Sequence, residues 1–157
     1  MRKSGDTRFL DPAKVMISIL ARSAPALEPE NEDEISMLVE GSFALTADGR
    51  GGRLNYTEAD PDDSGSTEVE ILVSPEGITM SRRGDWGASM VFERGKVFKG
   101  MYRTPYGNLS MDVFTTFFRA ELGEAGGKIE LRYQMEIEGH IPVVHSLLIG
   151  YAGDRAE

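Results

Sequence analysis

The chain has 157 residues, 40% of them hydrophobic and 27% charged, with a formal net charge of −9, no cysteine and two histidines. That is the size and composition of one folded domain, and its acidic balance argues against nucleic acid or anionic lipid as a partner, since both need a basic face. Lack of thiols excludes disulfides, a thiolate nucleophile and a cysteine-held metal, and His140 and His145 are too few for a multi-histidine zinc site.

Residues 1–12 read as a loose terminal arm. The first apolar run, "VMISILA" followed by "APA", has the outline of a secretory leader. Asp6 and Asp11 occupy the region that should be basic, however, while Pro12 precedes the run and Arg22 ends it. A strand over 15–22 and cytoplasmic residence are the expectations. No apolar run approaches the ~20 residues of a membrane-spanning helix, so no membrane span is expected.

"EPENEDE" at 28–34 gathers five acidic residues into one local run. Period-two patterning then predicts strands over 34–45 and 53–58. The loop "ADPDDSGS" at 59–66 is oxygen-rich in the manner of a calcium site but lacks the glycine and glutamate spacing of an EF-hand. A solvated loop is expected there. Further strands follow over 67–74, 78–83, 89–94, 97–103 and 108–122, punctuated by "SPEG", "RGDWG", "ERGK" and "TPYG". Glycine in such turns permits the positive φ that tight hairpins require.

After "EAGG" comes the cleanest segment, "KIELRYQMEIE" at 128–138. Ile129, Leu131, Tyr133, Met135 and Ile137 alternate there with charged or amide side chains, so one face is buried and the other wet. "EGH" at 138–140 leads to a last strand over 141–152. Eight to ten strands joined by short turns make an antiparallel meander. Closure into a barrel removes its two edges. The prediction is therefore an all-β, closed antiparallel meander barrel forming a single domain.

Read in order, "EGSFAL", "LNYTE", "TEVEILV", "RRG", "VFERG", "YRTPYGNLSM" and "GGKIELRYQMEIEG" are similar to the YwiB-like family of small bacterial proteins of unknown function. The resemblance runs over residues 15–151. It implies a calycin-type, lipocalin-like barrel and brings no catalytic residue with it.

The same parity argument selects candidate ligand-binding residues. Glu58 shares a face with Leu54 and Tyr56, and Arg82 with Ile78 and Met80, so each charge ends an inward apolar row. Thr115 follows Leu109, Met111 and Val113, and His145 lies on the face of Val143, Leu147 and Ile149. An inward charge is costly unless paired. Glu58, Arg82, Tyr56 and Thr115, with His145 or Tyr102, are expected to satisfy one another at one end of the barrel.

Two readings of that cluster stand. It is a structural polar plug, or Arg82 offers its planar fork of donors to a ligand carboxylate or phosphate. His145 has no serine elbow or carboxylate dyad beside it, so no catalytic residue, metal or cofactor is assigned and the balance is against an enzyme. "TPYG" is first a corner, with a role as a binding-site lip left as a hypothesis. The leading function is binding of a small apolar or amphipathic anionic ligand. The alternatives are a structural or protein-interaction module with a filled barrel, and, third, a hydrolase or isomerase at the barrel mouth. Oligomeric state is not legible.

Overall fold

The computed structural model describes residues 6–59, 65–84 and 87–153. Ten strands form in chain order: β1 Ala13–Pro25, β2 Asp33–Leu45, β3 Gly52–Ala59, β4 Ser66–Val73, β5 Ile78–Arg83, β6 Gly87–Phe92, β7 Val97–Thr104, β8 Gly107–Glu121, β9 Gly126–Ile137 and β10 Val143–Gly153. Each pairs antiparallel with its sequence neighbour, and β1 pairs with β10 to close the barrel. No helix occurs among the described residues. The all-β closed meander expected from period-two patterning is the fold that forms.

Alternation decides which side chains enter the barrel. Residues paired across a ladder share a face, so Leu131 on β9 lies beside Leu147 on β10 and Phe118 on β8. Ile17, Leu54, Ile71, Met80, Phe92, Met111 and Ile129 meet in the same interior and are almost wholly removed from water. The middle of the barrel is thus filled by side chains.

Two strands differ from the periodic reading in an instructive way. β1 extends to Pro25 because Ser23 and Pro25 face His145 and Val143 on β10, a pairing no local pattern reveals. β8 carries a bulge between Thr115 and Phe117. The extra residue shifts the parity, so Phe118 rather than Phe117 turns inward and is buried.

The barrel's two ends are unlike. At the end formed by the starts of β1, β3 and β5, Phe43 and Tyr151 stack with centroids 4.1 Å apart. The Tyr151 hydroxyl donates to the Gly123 carbonyl at 2.7 Å and accepts from the Gly123 amide at 3.1 Å, fixing the β8–β9 connection over that end. The terminal arm was expected to be loose, but its described part, 6–12, docks here. The Leu10 amide donates to the Leu45 carbonyl at 2.8 Å, and the Arg53 guanidinium lies 4.4 Å from the centre of the Phe9 ring. Backbone bonds to Thr46's neighbours and an aromatic face for Arg53 hold the arm there. Residues 1–5 lie outside the described residues.

At the opposite end, by contrast, inward-facing Met37, Val39, Met135, Ile137 and Leu147 are only partly buried. This end is open.

Candidate functional site

The candidate cluster lies toward the open end. β3 and β5 flank β4, with Tyr56 and Arg82 both opposite Val69. That register sets both inward, and Glu58 follows two residues later on the same face of β3. Arg82 and Glu58 form an ion pair through Nη1 and Oε1, with their side chains 28% and 22% exposed. An inward charge pair with this much access to water avoids most of the desolvation penalty of a buried one. Arg82 also lies opposite Ala88, and Ala88 opposite Tyr102, so half-buried Tyr102 stands on the same inward row.

Across the barrel a second group forms on β8–β10. Thr115, Tyr133 and His145 occupy one rung of paired residues, continued by Ser23 on β1. The imidazole of His145 stacks on Tyr133 with centroids 4.8 Å apart and planes 13° from parallel. Burial holds His145 below its ordinary pKa, which favours the neutral ring at neutral pH. Burial pushes the Tyr133 phenol up to about 12, and the positive charge of Arg82 opposes that rise. Tyr56 is raised for the same reason, again opposed by Arg82. The Arg82 charge is therefore felt on both walls.

Not all of the expected satisfaction occurs. Thr115 is 0% exposed, and its hydroxyl has no hydrogen-bond partner among the described residues. It was expected to join the charged pair, but β8 stands on the far wall from β3, where Tyr133 is the residue opposite it. Tyr133 itself was legible only as a core residue of β9. Its signal was a phenol hydroxyl in an otherwise apolar inward row, and only the closure of the sheet brings that hydroxyl into the range of Arg82.

The "TPYG" corner is a tight turn. The Thr104 hydroxyl accepts from the Tyr106 amide at 3.1 Å, and Gly107 has φ of 132°, a value that suits glycine. Most of the 59–66 loop, with Asp85 and Trp86 of "RGDWG", lies outside the described residues. Among the described residues, no group of three or more His, Asp or Glu side chains is placed to hold a metal ion, and no helix is long and apolar enough to cross a membrane.

The fold is similar to the crystal structure of the ywiB protein from Bacillus subtilis, with a TM-score of 0.81, 20% identity, and coverage of 94% of this chain and 96% of that one. A structural-genomics protein of unknown function from Bacteroides ovatus aligns with a TM-score of only 0.30 at 11% identity, over 90% of this chain and 41% of that one. No curated protein matches the sequence. Residues 22–149 match the domain of unknown function DUF1934, and the chain belongs to that family.

Proposed function

We propose that the protein binds a small amphipathic ligand with an anionic head at the open end of the barrel, and that Arg82 recognises the head. The observation that carries this reading is the placement of Arg82 on an inward row, its charge reaching Tyr56 and Tyr133 on two walls. Glu58 occupies one side of the guanidinium, and the planar fork retains further donors for a carboxylate or phosphate oxygen. Tyr56 and Tyr102 add hydrogen-bonding groups on the same wall, and Tyr133 and neutral His145 add them from across the barrel. Partly buried Met37, Val39, Ile137 and Leu147 supply an apolar wall for a short tail. Such a ligand is confined to this end, because the middle of the barrel is full.

That filled middle favours a second reading, in which the Glu58–Arg82 pair is a plug and the protein acts as an interaction module. The two separate in one experiment. Calorimetric titration with fatty acids of graded length, and with their methyl esters, should show binding of the acids only. Arg82→Ala should lower affinity about tenfold or more, as loss of a charge-assisted contact implies. Equal binding of acid and ester, or an unchanged affinity in Arg82→Ala, would reject the ligand reading and leave the plug.

A further inference from the structure

β2 is thirteen residues long, yet β3 pairs only with its last part, 41–45, against Gly52–Tyr56. Residues 33–40 pair on one side with β1. On the other side their backbone groups meet no strand and form no hydrogen bond with a described residue. A barrel ordinarily abolishes its edges; here a long stretch of edge survives in the wall. Such an edge is a template for another strand, and this one is not blunted by lysine or proline. It carries Ile35 at 63% and Leu38 at 69% exposure.

Where β2 parts from β3, a cleft of roughly 680 Å³ opens, lined by Val39, Glu40, Tyr56, Glu68, Glu70 and Arg83 among others. Its charge is distinctive. Glu40 pairs with Lys14 at 3.1 Å, Glu34 with Arg22 at 2.8 Å, and Glu70 with Arg83 at 3.8 Å. Asp33 and Glu68, with Glu28, Glu30 and Glu32 of the acidic run beside the start of β2, form no salt bridge with a described residue. Acidic side chains thus outnumber the basic ones, Lys14, Arg22 and Arg83, around this edge.

We propose that the free edge of β2 at 33–40 is a β-augmentation site for an extended, basic segment of a partner protein. Main-chain hydrogen bonds to the unpaired edge would supply affinity, and side chains alternating across the added strand would supply specificity. Lysines or arginines on the partner would face Glu40 and Glu68 on the outer face of the wall, while its alternate residues would cover Ile35 on the inner face. A second copy of this chain is disfavoured by the same charges. Antiparallel self-pairing centred on Met37 sets Glu34 against Glu40, and like charges directly opposite destabilise a sheet. The cleft shares Val39 and Tyr56 with the proposed ligand site, but a strand added to this edge needs no contact with Arg82, so Arg82→Ala distinguishes the two proposals.

The test uses the whole protein and a fluorescent peptide of about nine residues alternating lysine with valine, long enough to span the free edge. Fluorescence polarisation should show saturable binding that weakens with salt. Hydrogen exchange should show new amide protection concentrated at 33–40. Methylating alternate backbone nitrogens of the peptide should weaken binding about tenfold, and Glu68→Lys should do the same, each removing a contact of that order. Replacing the peptide's lysines by glutamate should abolish binding. The proposal is overturned by absence of binding to lysine–valine, lysine–threonine and arginine–valine probes alike, by protection elsewhere, or by equal affinity for the N-methylated peptide. Protection of 33–40 without peptide, together with a dimer by ultracentrifugation, would show that a second copy is the occupant and overturn it too.

Discussion

Thr115 sets the residue-scale problem, since a buried hydroxyl without a partner costs free energy that a methyl group in its place would not. Thr115→Val keeps the branched shape and the β preference. Urea unfolding should therefore show stability unchanged or raised by up to about 1 kcal/mol, within the range for burying an unpaired polar group. A comparable loss would show that the hydroxyl has a partner. Tyr133 and Tyr151 carry a pH dependence. Both phenols sit near 12 in the folded chain against an ordinary value near 10, because burial penalises the phenolate. Their stabilising effect is complete below about pH 10, where both states are protonated, and is lost as pH rises towards 12, since only the unfolded chain releases the protons. Each contributes a slope of about 1.4 kcal/mol per pH unit in that window. Tyr133→Phe should flatten the alkaline limb of a stability-against-pH curve by one such increment; an unchanged slope would mean that the phenol ionises normally.

At the scale of the element, the β2–β3 seam depends on Gly41, which lies opposite Tyr56 at the point where the two strands separate. A Cβ there would stand 2.3 Å from the Asn55 carbonyl oxygen and 2.6 Å from Cδ1 of Ile17. The isoleucine can move, but the carbonyl belongs to the partner strand. Gly41→Ala should therefore push β3 away and cost about 1–3 kcal/mol, the range for overpacking a core position. Hydrogen exchange should locate the loss in β2 and β3. A neutral substitution would show that the seam already flexes at this point.

For the whole molecule, the decisive pairing is β1 with β10, since it joins residues as distant as Val15 and Gly153. Loop-closure entropy must be met before that contact stabilises anything, so refolding should fall in the millisecond-to-second range typical of non-local β topologies. A chain ending at residue 140 lacks β10 and exposes the edges of β1 and β9. It should show no cooperative thermal transition by circular dichroism, while the full chain shows one. A cooperative transition in the shortened chain would mean that barrel closure is dispensable.

The sequence by itself determined the strands. Hydrophobic alternation in segments such as 128–138 and glycine-bearing turns between them are local properties, and they place the ten elements and the inward face of β9 without reference to any neighbour. The same alternation set Glu58 and Arg82 on inward rows, and the resulting ion pair was legible because both stand opposite β4 in adjacent hairpins. Only the tertiary structure decided what depends on distant strands. The β8 bulge changes parity in mid-strand, and the arm docks on β2 and β3. Tyr133 meets the field of Arg82 across the barrel, while Thr115 faces a wall that leaves it unpartnered. The free edge of β2 was equally hidden, since period two reports which side of a sheet a residue faces but not how far the neighbouring strand runs alongside it. Register and strand separation are set by sheet closure, a property of the whole chain that no local pattern encodes.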